Sequence, residues 1–210
     1  MERIICLAVG YLCGLLQTGY IYGRMHGMDI RQHGSGNSGA TNTLRVLGKK
    51  AGLVVFLGDA LKALIPCLAV RLIFGSRPET AGMAYLYALY LGFGVILGHN
   101  FPFYMDFKGG KGVAATAGLL ASLDWRLTLA CAAVFIVSVL LTHYVSLGSI
   151  LVAVTFFLVN IWLAYGGDYG LNREVLPEFL VLLAAISLMA VWRHKANIKR
   201  LLAGNENKIF

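Results

Sequence analysis

Gly112-Val113-Ala114-Ala115-Thr116-Ala117-Gly118-Leu119-Leu120-Ala121-Ser122-Leu123 is apolar almost throughout, yet shorter than every other hydrophobic run in the chain. A helix rises about 1.5 Å per residue, and crossing the hydrocarbon core takes roughly 20 residues, so this run is too short to cross alone. It spans only if the backbone beside it dips into the membrane. Five longer charge-poor runs need no such help: Ile4–Gly23, Ala81–Gly98, Leu127–His143, Leu147–Tyr165 and Val175–Trp192, the last with Glu178 near one end. A sixth, Ala51–Val70, carries Asp59, Lys62 and Pro66 but is otherwise apolar.

Charge decides the short run. If it crosses, one set of loops collects Arg24, Arg31, Arg45, Lys49, Lys50, Lys108, Lys111, Arg193, Lys195, Lys199, Arg200 and Lys208, and the other keeps Arg3, Arg71, Arg77, Arg126 and Arg173. If it does not, the positive residues divide almost evenly. Positive residues accumulate on the cytoplasmic side, so the expectation is an all-α integral membrane protein with seven transmembrane helices, one of them short. The N-terminus lies outside, the C-terminus in the cytoplasm, and glycine-rich loops enter the membrane from the cytoplasmic side. The alternative for the first span is a cleaved signal peptide. Its apolar run is longer than a usual h-region, and Glu2-Arg3 gives no net positive start, which favours a retained helix.

Composition agrees. The 210 residues are 58% hydrophobic and 13% charged, too apolar for a small water-soluble domain. Eighteen Lys and Arg against ten Asp and Glu leave a net +8, which suits anionic lipid head groups or phosphorylated substrates. No nucleic-acid module is present in the sequence. Cys6, Cys13, Cys67 and Cys131 all fall in apolar stretches without metal-ligand spacing and read as packing residues. No repeat or long linker divides the chain, so residues 1–210 read as one membrane domain.

The polar motifs all fall on the cytoplasmic side of this topology. Gly34-Ser35-Gly36-Asn37-Ser38-Gly39-Ala40-Thr41-Asn42 is a run of small residues whose backbone can approach a ligand closely, followed by Thr43-Leu44-Arg45-Val46-Leu47-Gly48, which can open a short helix with an anion-favouring N-terminus. Its spacing is not that of a nucleotide P-loop. In Phe107-Lys108-Gly109-Gly110-Lys111-Gly112 two lysines bracket paired glycines, so amides and ammonium groups can converge on a phosphate. Positive-inside anchoring explains the lysines but not the glycines. A third motif is Tyr144-Val145-Ser146, and a fourth is Arg193-His194-Lys195-Ala196-Asn197, where His194 and Asn197 share a helical face between cations that favour a neutral imidazole.

Other features divide between structure and support. Asp59 and Lys62, three apart inside a span, either pair with each other or orient a lysine or loop amide of the pocket. Gly10 to Gly14 and Gly19 to Gly23 fit small-residue helix packing. His99 precedes the second loop, where it can cap the third span, and His143 borders the Ser146 loop; each reads at least as readily as an interfacial side chain as a catalytic one, whereas His26 and His33 show no usable pattern. The gap from His99 to Asp106 does not match the short His-to-Asp spacing of soluble-facing acyltransferases. There is no Gly-x-Ser-x-Gly elbow, metal-ligand cluster or carboxylate-rich pocket. An enzyme built this way works by anion binding without a strong base.

Taken together, Gly34-Ser35-Gly36-Asn37-x-Gly39-Ala40-Thr41-Asn42, Phe107-Lys108-Gly109-Gly110-Lys111-Gly112, Tyr144-Val145-Ser146-Leu147 and Arg193-His194-x-x-Asn197-Ile198-x-Arg200-Leu201 resemble the PlsY family of bacterial acyl-phosphate:glycerol-3-phosphate acyltransferases, as do Asp59-x-x-Lys62 and Gly98-His99. The likeness follows the same order along nearly the whole chain. It implies an inner-membrane enzyme that moves a fatty acyl group from acyl phosphate to the sn-1 hydroxyl of glycerol 3-phosphate, releasing phosphate and lysophosphatidate, with membrane lipid around it and no cofactor or metal. It further implies that Ser35, Arg45, Lys108, Ser146, His194 and Asn197 surround glycerol phosphate. Asn37, Gly39, Thr41 and Asn42, with Gly109, Gly110 and Lys111, would meet acyl phosphate. Ser35, Lys108, His194 and Asn197 form the expected catalytic set, and the resemblance leaves open which lysine serves which phosphate. One departure is Gly14-Leu15-Leu16-Gln17-Thr18, where the family commonly has Gly-Ser-Ile-Pro, which leaves the local helix shape open. The rival classes are a transporter or channel for a phosphorylated anion, which needs access to both faces, and a noncatalytic subunit, which leaves the glycine loops unexplained.

Overall fold

The computed structural model describes residues 1–209 and, among these, consists of helices and turns without a strand. Six helical segments are long and apolar enough to cross a membrane: Glu2–Met25, Lys49–Gly75, Ala81–Met105, Trp125–Thr142, Val145–Tyr165 and Arg173–Arg193. In chain order the helices are α1 (Glu2–Gly14), α2 (Thr18–Met25), α3 (Ala40–Leu47), α4 (Lys49–Gly75), α5 (Ala84–Asn100), α6 (Val113–Leu123), α7 (Trp125–Thr142), α8 (Val145–Tyr165), α9 (Leu176–Arg193) and α10 (Lys195–Leu202). The short run is therefore a helix of 11 residues, α6. Lys111, just before it, bonds Asn197 beyond α9, and the Leu123 carbonyl at its far end accepts from Arg71 late in α4. Its start is therefore joined to the residues after α9 and its end to the last turns of α4.

Backbone contact sets the packing. A Cβ built on Gly10 would lie 2.1 Å from the Leu91 carbonyl oxygen, and one on Gly94 would lie 2.2 Å from that of Leu7, so α1 and α5 touch through their glycines. A Cβ on Gly118 would lie 2.0 Å from the Ala60 oxygen, which joins α6 to α4 in the same way. Small residues are the usual means of such approach where lipid offers no hydrophobic drive. Leu86, Leu89, Leu119, Phe156, Phe179 and Leu183 fill the centre, while Ile136, Leu141, Leu158 and Leu188 stay more than half exposed on the outer surface, as lipid-facing residues do.

The expected unbroken first span, Ile4–Gly23, is interrupted at Leu15–Gln17. The break frees backbone carbonyls that must find donors in the apolar interior. Gln17 Nε2 donates to the Gly14, Gly98 and His99 carbonyls, Tyr104 Oη to Leu15 and Lys62 Nζ to Leu16. A buried glutamine thus stands at the turn where the sequence comparison left the shape open.

The edge where α1, α7 and α9 begin is charge-balanced. Arg3 makes a two-pronged bond to Glu178 at 2.6 and 2.9 Å, and Tyr90 donates to the same carboxylate. Arg126 bridges Asp124 and Asp168, and Asp124 accepts the Arg126 and Leu127 amides as the N-cap of α7.

Candidate active site

At the other edge the Gly34–Asn42 segment wraps around one buried side chain. Asn42 Oδ1 accepts from the amide and hydroxyl of Ser35 at 2.8 and 3.1 Å, and its Nδ2 donates to the Ile30 and His33 carbonyls. Asn37 Oδ1 accepts the Gly39 amide at 2.9 Å. The short helix begins at Ala40, earlier than Thr43, because Gly39 serves as its N-cap without any side chain. The orphan amides of the first turn are left for an outside partner.

The second glycine loop folds back onto the end of α5. Asp106 and Phe107 take left-handed backbone angles, φ 53° and 58°, a costly conformation for residues with a side chain. The reversal brings the Gly109 amide to the Asn100 carbonyl at 3.2 Å and the Gly110 amide to that of His99 at 3.1 Å. Arg193 holds the loop from the other side by donating to the Gly109 and Gly110 carbonyls. Gly112, at φ 80°, is the N-cap of α6, again without a capping side chain.

Two further helix starts complete the ring. α8 begins at Val145 after Tyr144 and α10 at Lys195 after His194, neither with a side-chain cap. The chain then turns back, so that the buried Glu206 carboxylate accepts from Ser146 Oγ at 3.0 Å, Asn197 Nδ2 at 2.7 Å and Arg200 Nε at 2.7 Å. Arg45 donates to the Asn207 carbonyl, and the Ile209 amide to that of His143. The tail ties α3, α8 and α10 together.

Between these elements lies a cavity of about 170 Å³. Ser35, Asn37, Gly39, Ala40, Thr41, Asn42 and Arg45 line one wall, and Lys111, Gly112, Val113 and Ala114 another. Ser146, Ser149, His194, Asn197, Arg200 and Glu206 close it, together with the buried Asp59 and His99 and the exposed Phe56. Four helix N-termini, those of α3, α6, α8 and α10, therefore open into one space, and no side chain caps any of them. Each contributes unpaired amides and partial positive charge. Arg45, Lys111 and Arg200 add cations, and among the described residues the lining carboxylates are Glu206, bonded to Arg200, and Asp59, paired with Lys62.

Burial, with further pressure from Arg200, pushes the Lys111 ammonium down to about 8; Glu206 opposes the shift. His194 is pushed down to about 4, by burial and by the Lys111 and Arg193 charges, against the contrary pull of the Ala190 carbonyl. Its ring is neutral at pH 7. With Nδ1–H donating to Ala190 at 2.8 Å, Nε2 is left as the lone-pair nitrogen. Burial alone would raise Glu206, but the Asn197, Arg200 and Ser146 bonds outweigh it and hold the carboxyl below its usual range. Among the described residues no three His, Cys, Asp or Glu side chains gather to hold a metal ion.

Ten of the residues singled out from sequence meet in this cavity: Ser35, Asn37, Gly39, Thr41, Asn42, Arg45, Lys111, Ser146, His194 and Asn197. Lys108 and Gly109 do not. They line an adjoining recess with Arg31, Gly36, Phe107 and Arg193, and the Gly109–Gly110 backbone, tied to the Asn100 and His99 carbonyls, stands between the two lysines. Gly110 serves through its backbone, packed under the His99 ring. His99 does not cap its helix. It lies in the last turn of α5, its Nδ1 2.8 Å from Lys62 Nζ. Asp59 and Lys62 pair at 2.8 Å, and the sequence reading did not single out Glu206 or Arg200 for the site. Arg200 stands three residues after Asn197 on the same face of α10, whereas Glu206, beyond that helix, carries no motif that marks it.

A family model described as glycerol-3-phosphate acyltransferase matches residues 4–204. Proteins of that same name from Halalkalibacterium halodurans and Thermoanaerobacter sp. are 42% and 38% identical, each match covering all of this chain and 97% and 96% of the relative. One from Clostridioides difficile is 42% identical over 98% of this chain and 95% of its own. The fold resembles the crystal structure of PlsY, an integral membrane glycerol 3-phosphate acyltransferase. The glycerol 3-phosphate form gives a TM-score of 0.84 at 34% identity, covering 99% of this chain and 96% of that one. The lysophosphatidic acid form gives 0.81 at 33% identity, covering 99% and 95%.

Proposed function

This chain belongs to the glycerol-3-phosphate acyltransferase family, and from that premise we propose that it transfers a fatty acyl group from acyl phosphate to the sn-1 hydroxyl of glycerol 3-phosphate. The observation that carries the reading is the convergence of four uncapped helix N-termini and several cations on one cavity. Such a site is made for phosphate. Its apolar neighbours Phe56, Val113 and Phe135 suit an acyl chain arriving from the bilayer.

In the proposed reaction the hydroxyl oxygen attacks the acyl carbonyl carbon, the bond from that carbon to the bridging oxygen breaks, and phosphate leaves with that oxygen and its electron pair. The hydroxyl proton passes to a substrate phosphate oxygen. Acyl phosphate is a mixed anhydride with a good leaving group, so catalysis rests on positioning and on stabilising charge. A histidine held near 4 is a weak base at pH 7. His194 Nε2 and Asn197 instead hold the glycerol hydroxyls, with Ser35, Arg45 and Ser146 at its phosphate. The amides at Asn37, Gly39 and Thr41 and beside Gly110 face the acyl phosphate and the developing oxyanion. Asn42 acts by shaping the Ser35 loop. Lys111 and Lys108, on either side of Gly109-Gly110, each serve one phosphoryl group.

The same reading makes α6 a seventh crossing with glycine loops entering from the cytoplasm, the N-terminus outside and the C-terminus inside the bacterial inner membrane. The test is purified protein in detergent, supplied with acyl phosphate and glycerol 3-phosphate and assayed for released phosphate and acylated product. Turnover with acyl phosphate and none with acyl-CoA supports the proposal. Turnover with acyl-CoA alone, or passage of glycerol 3-phosphate across proteoliposomes without product, overturns it.

A further inference from the structure

Beneath the cavity lies a buried chain of polar groups that the proposed reaction does not use. Asp59, Lys62 and His99 are all at most 8% exposed and belong to two helices, α4 and α5. Lys62 Nζ meets three partners: the Leu16 carbonyl, Asp59 Oδ1 at 2.8 Å and His99 Nδ1 at 2.8 Å. An ammonium has three hydrogens and no lone pair. Two of its partners can only accept, so the third hydrogen goes to His99, whose Nδ1 must then be the bare nitrogen and Nε2 the one bearing hydrogen. Thr18 Oγ1 holds Asp59 from the broken first span at 3.0 Å, which fixes the far end of the chain.

The other face of the imidazole meets the catalytic loop. A Cβ built on Gly110 would lie 2.0 Å from His99 Nε2, and one on Gly109 would lie 2.0 Å from the His99 carbonyl oxygen. The Gly110 amide donates to that same carbonyl. One residue on, the Lys111 ammonium reaches the cavity and bonds Asn197 Oδ1. The ring therefore forms the floor on which the loop rests.

We infer that His99 is a positioning residue: Lys62 and Asp59 lock its tautomer and ring, and the ring in turn fixes the Gly109–Gly110 backbone and with it Lys111. This rests on the acyltransferase reading for its kinetic consequence, but the geometry itself can be tested without turnover. In the whole protein in detergent micelles, with ¹⁵N-labelled histidine assigned by comparison with a His99→Asn variant, His99 should show a bare Nδ1 and a protonated Nε2 at neutral pH. In the charge-neutral pair Asp59→Asn with Lys62→Met that preference should be lost. A protonated Nδ1 in the wild type, or an unchanged signature in the pair, overturns the inference whether or not the protein turns over.

A mutant cycle supplies the second readout. Gly110→Ala should lower kcat about 100-fold by displacing the loop on the order of 1 Å. In a His99→Ala background, where the obstructing ring is gone, the same change should cost less than about threefold, since coupled neighbours are non-additive. Independent, multiplying losses contradict the inference. Should His99→Ala not fold, His99→Asn, which keeps an acceptor for Lys62 and removes the ring edge, takes its place in the cycle. A purely structural role for His99 would lower the amount of active protein and leave the Gly110→Ala penalty unchanged.

Discussion

The two edges of this helical bundle handle charge in opposite ways. Where α1, α7 and α9 begin, each cation named has a carboxylate, Arg3 with Glu178 and Arg126 with Asp124 and Asp168, and Asp124 caps a helix. Where α3, α6, α8 and α10 begin, no side chain caps a helix, and among the described residues Glu206 is the carboxylate that meets Arg200 beside Arg45 and Lys111, Asp59 being paired with Lys62. A balanced edge is finished and needs nothing from outside. An unbalanced one, kept in place by packing and by the tail, leaves helix amides and ammonium groups without protein partners, and the proposed anion binding would use them.

Disturbing the unbalanced edge should cost activity. Lys108→Ala and Lys111→Ala are each expected to lower kcat/KM about 1,000-fold, the order lost when one donor to a developing oxyanion is removed, while the protein still inserts and melts normally. Near-normal turnover in the phosphate-release assay would contradict this. Because Lys111 is held near 8, its charge is lost as pH rises through that value, so kcat/KM should fall about tenfold per pH unit above pH 8. Lys111→Arg, which keeps its charge, should lack this limb, and a shared pH profile would place the titration elsewhere. His194→Ala should raise the KM for glycerol 3-phosphate about tenfold, the equivalent of one hydrogen bond to a polar ligand, with little change in kcat. A loss confined to kcat would make it a base.

Disturbing the balanced edge should cost only stability. Asp124→Ala removes an N-cap and is expected to lower stability by about 1 kcal/mol, and Glu178→Gln, at a half-exposed pair, by less than about 1 kcal/mol. Both should leave kcat/KM within about twofold, the usual reach of a distant surface change. A large kinetic effect from either would mean that the two edges are coupled.

The long helices were legible because length and apolarity carry that signal without tertiary help, and their bounds shift by only a few residues in the structure. The break at Leu15–Gln17 was not, since the carbonyls that reward Gln17, those of Gly98 and His99, lie some 80 residues away in sequence. The site's small-residue loops were legible as loops, yet their division of labour was not. Asn42 looks like a ligand-facing amide, but four local bonds commit it to shaping the loop. Lys108 and Lys111 look equivalent until the Gly109–Gly110 backbone, bonded to the end of α5, places one in the cavity and the other in the adjoining recess. Glu206 carries no motif of its own, and its meaning comes only from Ser146, Asn197 and Arg200 meeting around it.

Calorimetric titration of the purified protein with glycerol 3-phosphate at neutral pH tests the unfinished edge most directly. One site per chain is expected, lost in Lys111→Ala, retained in Asp124→Ala and not reproduced by glycerol. Equal affinity for glycerol, or an undiminished site in Lys111→Ala, would contradict it.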